Sequence, residues 1–392
     1  SNLLRLLSNP RLMGRIRPLG RLSAFRVGQL LATISSAPPE MVAPAVVADR
    51  VAGALWGMFI ADGLAMPTHW FYGGRPEVRR FFGGDLDTYQ KPPHPYPQTI
   101  MALSSTGGGG RGSDEGDIIG SVINHGKKKF WQRGAGYHYH CTLDAGETTL
   151  EGEVARLAVR HLTKGPLDVD RMRQEYVDFM TTPGSHNDAY ASTYHRMFFA
   201  NRARGLPLAD CPDNDAHNVD AIDGLITPVP AILAAAAAND EDAVRQGQAI
   251  VSVTRNSKVV EDFVPALALL LRSVIAGRPA AEAAREVARQ MYGAAPDPKA
   301  ADPVVACYID SNFRSLLHFL VKYEDFRDGV LANANAGGEN VHRGLVLGAI
   351  LGAQVGAKNI PDDLKKGLKH SAALDKVIRE FVAAVVPGAS DL

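Results

Sequence analysis

A chain of 392 residues, 46% hydrophobic and 21% charged, can bury a sizeable core as one large domain or two smaller ones. Its 42 basic and 42 acidic side chains cancel, so no global field draws it to nucleic acid or acidic lipid. Its apolar runs read as shorter than the ~20 residues of a membrane span. The widely spaced Cys141, Cys211 and Cys307 argue against a disulfide framework or zinc spacing and favour a reducing compartment.

Residues 1–39 carry Arg5, Arg11, Arg15, Arg17, Arg21 and Arg26, and the first acid is Glu40. Basic, acid-free and interspersed with leucine and serine, this is the composition of an organelle transit peptide, with the mitochondrion as the expected address and the plastid as the alternative. Pro10, Gly14, Pro18 and Gly20 interrupt it, and alone it cannot bury enough apolar surface to offset its ordering entropy. The arm is therefore expected to wrap its own domain or to contact other protein subunits. "SSAPPEMVAP" (35–44) reads as a Pro-rich linker, giving an arm and linker over 1–45 and a helical domain over 46–392.

The domain opens with "VVADRVAGALWGMFIADGLAMP", a helical run whose small residues let two backbones approach closely. Residues 70–118 are rich in Gly, Pro and aromatics, and "STGGGGRGSDEGD" is a long loop. "IIGSVINHGKKKFW" predicts a return to helix. Apolar residues at i, i+3 and i+4 then predict helices in "TTLEGEVARLAVRHL", "DVDRMRQEYVDFM", "YASTYHRMFFANRA" and "EDAVRQGQAIVSVT", the last with Asp240 as N-cap. "AILAAAAA" reads as a buried helix. The same period recurs in "KVVEDFVPALALLLRSVIA", "AAEAAREVARQM", "FRSLLHFLVKY", "FRDGVLANAN", "HRGLVLGAILGAQVGA" and "LDKVIREFVAAVV". Cys307 reads as a small hydrophobe buried in a helical run. Strand alternation is scarce and the segments share no period, so the expectation is an all-α, single globular, many-helix domain rather than a solenoid.

Four stretches carry a family resemblance. "GALWGMFIADGLAMPTHW" resembles the opening Gly-Ala-x-x-Gly-x-x-x-Gly-Asp-Ala-x-Gly-x-Pro-x-Glu signature of ADP-ribosylglycohydrolases. "NANAGGENVHRGLVLGAILGAQVGAKNIP" resembles their Gly-Gly-Asp-Thr-Asp-Thr turn, small-residue helix and Ile-Pro. "LDAGETTLEGEVARLAV" falls where the family has Thr-Asp-Asp-Thr leading into a helix, and "IVSVTRNSKVVEDFVPALALLL" matches its middle Thr-His helix. Order and spacing agree over roughly residues 48–361. The resemblance implies an all-α fold that holds two magnesium ions in a central cleft and hydrolyses the glycosidic link between ADP-ribose and an amino-acid side chain. Hard divalent ions want several oxygen ligands, chiefly carboxylates, and a metal pair can orient ribose hydroxyls and a water.

Carried over residue by residue, that ligand set is depleted. Thr-Asp-Asp falls on Ala145, Gly146 and Glu147, and Asp-Thr-Asp-Thr on Glu339, Asn340, Val341 and His342. Pro-x-Glu reads Pro67-Thr68-His69, and Thr254-Arg255-Asn256 stands where a histidine belongs. Asp62 persists. The usual dinuclear magnesium site is not expected, and no other cofactor is. Glu147 and Glu339 are the candidates to position a water, and Glu147, Glu339 and His342 could hold a single transition metal or zinc. Asp62 and Asn340 are candidates for the ligand cleft, which these residues and His69 would share. The bland alternative makes Glu339 and Arg343 a solvated turn with His342 capping the next helix.

Other polar clusters are weaker. His138 and His140 in "GYHYHCTLD" could be two ligands, but a half-exposed loop is the expectation. Ser185, His186, Asp188 and His195 lack a nucleophile elbow, so His186 and Asp188 are expected to cap a helix start. "GGGGRG" (107–112) is not a Walker loop, and "HGKKKFW" reads as a solvated helix end. Three functions follow. The leading expectation is a non-catalytic ADP-ribosylglycohydrolase-like accessory subunit of a mitochondrial complex, the ATP synthase first. The others are a mitochondrial hydrolase of ADP-ribosyl bonds with a modified metal site, and an ADP-ribose or nucleotide binder that does not cleave.

Overall fold

The computed structural model describes residues 42–99, 101, 117–132, 134–235 and 239–388. The basic arm and the GGGGRG loop lie outside the described residues. Helix α1 spans Pro44–Ala65, with Pro44 in its first turn, where the missing N–H costs nothing. It begins two residues before the expected start of the domain. Then come α2 (Gly74–Phe82), the single turn α3 (Ile118–Ser121), α4 (Leu150–Thr163), α5 (Val169–Thr181), α6 (Thr193–Ala203), α7 (Pro228–Ala234) and α8 (Asp240–Val251). The chain continues through α9 (Lys258–Ile275), α10 (Ala280–Tyr292), α11 (Ile309–Lys322), α12 (Phe326–Ala336), α13 (Asn340–Val355), α14 (Asp362–Gly367) and α15 (Ser371–Val385). Among the described residues there is no strand, only isolated bridges.

The core is organised by α1 and α13, which run antiparallel in backbone contact. A Cβ on Gly57 would lie 2.0 Å from the Gly348 carbonyl oxygen, and one on Gly352 would lie 2.1 Å from that of Gly53. Glycine is required at both because the obstacle is main chain, which cannot rotate away. The antiparallel register sets the end of α1 beside the start of α13. It thereby brings residues 62–70 to residues 337–343, some 270 positions later.

Several expectations need correction. Pro44–Thr68 is long and apolar enough, by length and composition alone, to cross a membrane. Here its apolar surface serves as the protein's central helix, buried around most of its circumference. Residues 118–131 are mostly not helical: Ile119 (ψ 124°) and Gly120 (φ 93°) break α3 after a turn, and only a 3-10 turn, Lys128–Trp131, follows. Lys128 and Lys129 of that turn are exposed, as expected of a solvated end. The N-cap of α8 is Asn239, whose side chain accepts the Asp242 N–H at 2.8 Å, and Asp240 is already helical. Cys307 is half-buried at a bend before α11, not in a helix. The short helices α2 and α14 went unread because neither spans enough turns to show a period.

Candidate functional site

The turn from α12 into α13 is built by two glycines with left-handed backbone, Gly337 (φ 67°) and Gly338 (φ 62°). A Cβ on Gly337 would meet the Phe71 carbonyl oxygen at 2.3 Å. The close approach lets the Trp70 N–H donate to Gly338 O (2.8 Å) and the Gly338 N–H donate to Phe71 O (3.0 Å). The glycine pair thus clamps residues 70–71 against the start of α13, so that Glu339, His342 and His69 meet.

There a chain of side chains runs from Glu339 through His69 and His140 to Asp188. Glu339 Oε1 lies 3.0 Å from His69 Nε2 and 2.7 Å from His342 Nδ1, while its Oε2 accepts from Trp70 Nε1. His69 Nδ1 is 2.7 Å from His140 Nε2, their rings stacked at 4.9 Å. His140 Nδ1 is 2.9 Å from Asp188 Oδ2, which also accepts the Leu150 N–H at the start of α4. All these groups except Trp70 are buried; Trp70 lines a surface hollow of about 460 Å³ with Tyr72, Arg80 and Tyr96 and turns its N–H inward. His342 Nδ1, although at ion-pair distance, has no aligned hydrogen-bond acceptor.

Charge in this cluster is set by the neighbours. Burial would lower the His342 imidazole, but the adjacent Glu339 carboxylate overrides it and pushes it up to about 10. Burial wins at His69, lowered to about 3 despite Glu339. Burial would raise Glu339, and His342 and His69 outweigh it, holding the carboxyl well below its ordinary range. At neutral pH the cluster is a Glu339–His342 ion pair with a neutral His69 beside it.

The residues singled out from the sequence are therefore only partly convergent. Glu339, His342 and His69 come together. Asn340 instead donates from Nδ2 to Thr68 Oγ1 (2.7 Å) and Ala334 O (3.0 Å), fastening the turn after α1 to the end of α12. Asp62 is buried and accepts from Thr149 N (2.8 Å) and Thr149 Oγ1 (2.8 Å). Glu147 is half-buried at a turn, accepting from Asp144 N (2.6 Å) with Lys369 Nζ 3.5 Å away. Of the six expected to share one cleft, His69, Glu339 and His342 meet at one point, and Asp62 lies within electrostatic reach of His342. Position 146 has no room for a side chain: Gly146 has φ 77°, and a Cβ would lie 2.2 Å from Gly367 O. The N-cap of α4 is Thr149, so a Thr-Asp-Asp-Thr motif ending on that cap would occupy Gly146–Thr149, one residue later than the sequence spacing suggests. Glu147 is its one carboxylate in either register. Val341 is buried in the apolar core.

The solvated-turn alternative for Glu339 and Arg343 is overturned, since both are fully buried. Arg343 donates from Nε to Asn333 Oδ1 (2.7 Å) and stacks on the Phe319 ring. The half-exposed loop expected for His138 and His140 is also overturned, since both are buried. Asp188 does cap a helix, but it is α4, 38 residues earlier. A second buried cluster escaped the sequence reading. Glu151 accepts from Ser192 Oγ (2.8 Å) and Tyr194 OH and sits 3.2 Å from His195 Nε2, and Arg255, paired to Asp223 at 2.6 Å, lies over the Tyr194 ring. The signal for Glu151 was its place in register with Ala155, Ala158 and Leu162 on the apolar face of α4.

A pair of magnesium ions does not fit these donors. Around Glu339 the set is two imidazoles and one carboxylate, whereas magnesium takes oxygen ligands in near-octahedral order. The nearby Asp62 is engaged by Thr149, and burial pushes its carboxyl up to about 8 against those hydrogen bonds.

The comparisons with known proteins agree with the fold. A family model described as ADP-ribosylglycohydrolase matches residues 43–390. A solved structure described as "ADP-ribosylglycohydrolase-related protein complex" superposes with a TM-score of 0.58 at 16% identity, covering 86% of this chain and 99% of that one. At that identity the likeness speaks for the fold. No curated protein matches in sequence.

Proposed function

Because the chain belongs to the ADP-ribosylglycohydrolase family, we propose that it is a non-catalytic member acting as a structural accessory subunit of a mitochondrial multiprotein complex, with the ATP synthase as the first assembly to test. The observation that carries this reading is the state of Glu339. Glu339 is held at both oxygens, Oε1 beside His342 and Oε2 by Trp70, and the next carboxylate in the cluster, Asp188, is held by His140 and the Leu150 N–H. A hydrolase of the parent kind needs free carboxylate oxygens to hold two ions and aim a water. Here one carboxylate flanked by two imidazoles supplies too few such oxygens for two ions. The mitochondrial address and the partner contact rest on the acid-free, arginine-bearing residues 1–39.

The test is fractionation. Mitochondria from cells carrying a C-terminally tagged chain are solubilised in mild detergent and resolved by native electrophoresis. The chain is expected to migrate at fixed ratio with one membrane complex. Recovery as a free chain, or outside mitochondria, would overturn the reading.

A further inference from the structure

One ligand atom each from His69, Glu339 and His342 lies within 4.8 Å of the other two, deep in the protein. We propose that these three residues form a site for one borderline divalent cation of the zinc and cobalt class, fastening the turn after α1 to the start of α13. The site is separate from the subunit reading and stands whether or not the chain belongs to a complex.

The donor set selects the class of ion. Two imidazoles and a single carboxylate suit zinc, cobalt or copper and disfavour magnesium and calcium, which take oxygen. Spacing agrees. Tetrahedral bonds of about 2.0–2.2 Å put ligand atoms roughly 3.3–3.5 Å apart. Glu339 Oε1 stands 3.0 Å from His69 Nε2 and 2.7 Å from His342 Nδ1. An ion therefore enters by spreading these ligand atoms by about 0.3–0.8 Å.

The surroundings are prepared for it in two independent ways. With Asp188 accepting from His140 Nδ1–H, His140 Nε2 can accept from His69 Nδ1–H, which leaves the His69 Nε2 lone pair facing Glu339. A carboxylate behind an imidazole is how protein metal sites fix the tautomer of a ligating histidine, here with one more histidine in the chain. Trp70, by engaging Glu339 Oε2, leaves Oε1 as the atom that faces both rings. His342 Nδ1, buried and without an aligned hydrogen-bond acceptor, points at the same place. An ion taking that place displaces the proton that His342 shares with Glu339, so uptake releases a proton.

The test uses the full, tag-free chain, stripped with chelator and titrated with Co²⁺. One Co²⁺ per chain is expected, with visible d–d bands that Zn²⁺ bleaches. His69→Gln and His342→Gln should each weaken binding at least about tenfold, while His161→Gln, a buried histidine paired with Glu175 elsewhere, leaves it unchanged. If a variant does not fold, pulsed electron paramagnetic resonance on wild-type protein loaded with Cu²⁺ counts imidazole ligands directly, and two are expected. No stoichiometric uptake, uptake indifferent to both substitutions, or any other imidazole count overturns the site. Metal content is read without substrate, so this proposal and the loss of hydrolysis fail separately.

Discussion

Asp62 receives both the backbone N–H and the hydroxyl of Thr149, each at 2.8 Å, which ties the interior of α1 to the cap of α4 across 87 residues. Burial nevertheless dominates and pushes the carboxyl up to about 8. A native acid above its ordinary 3.8 binds its proton more tightly than the unfolded chain does. The stability it contributes is complete below that ordinary value and is lost as pH rises towards 8. Asp62→Asn keeps the shape: its amide oxygen accepts the Thr149 N–H and its nitrogen donates to the hydroxyl. The variant should gain on wild type between pH 5 and pH 8, by at most about 1.4 kcal/mol per pH unit. Urea unfolding at the two pH values measures it, and a difference that does not change with pH contradicts it.

The α1–α13 contact predicts a sharp contrast among glycines. Gly57→Ala and Gly348→Ala each drive a methyl into the facing carbonyl, at 2.0 and 2.1 Å. Each should cost about 3 kcal/mol or leave no folded protein. Gly84→Ala, with nothing within 4 Å and no left-handed backbone, should stay within about 0.5 kcal/mol of wild type. Thermal unfolding of the three variants gives the comparison.

Asn333 holds a buried cation. Its Oδ1 accepts from Arg343 Nε at 2.7 Å and its Nδ2 donates to Asn340 O at 2.8 Å. Asn333→Ala strands both partners in the core and should cost about 2–3 kcal/mol in denaturant unfolding. Asn333→Asp restores an acceptor for the guanidinium and should recover part of that loss.

Glu151 supplies a prediction of opposite pH sign to Asp62. Burial would raise its carboxyl, but His195 and Tyr194 outweigh burial and hold it below the ordinary carboxylate range. Its contribution is present above that range and is lost as pH falls through it. Glu151→Gln should destabilise by about 3 kcal/mol at neutral pH, because it leaves one side of a buried pair unmatched. The deficit should shrink in acid, read by unfolding at pH 7 and pH 3.

The fold was legible where a period or a packing rule applies over many residues. The small residues of the opening helix announced a close approach of two backbones, and most long helices showed their apolar stripe. Local exceptions were not legible. Asn239 displaces Asp240 as cap by one residue, and Gly120 breaks a helix that composition favours. In the site, His69 and Glu339 were visible as substitutions within a motif. That His140 and Asp188 would stand behind His69 was not, because no local pattern encodes a contact across 71 or 48 residues. Glu147 misled because a motif position was read as a spatial one, and the turn at Gly146 carries it towards Lys369.

The most direct test of the central claim is turnover. Purified full chain is incubated with ADP-ribosyl-arginine and ADP-ribosyl-serine peptides in Mg²⁺ or Mn²⁺, and free ADP-ribose is measured by mass spectrometry. Release at the level of the protein-free control is predicted. Release above it that Glu339→Gln abolishes would contradict the account.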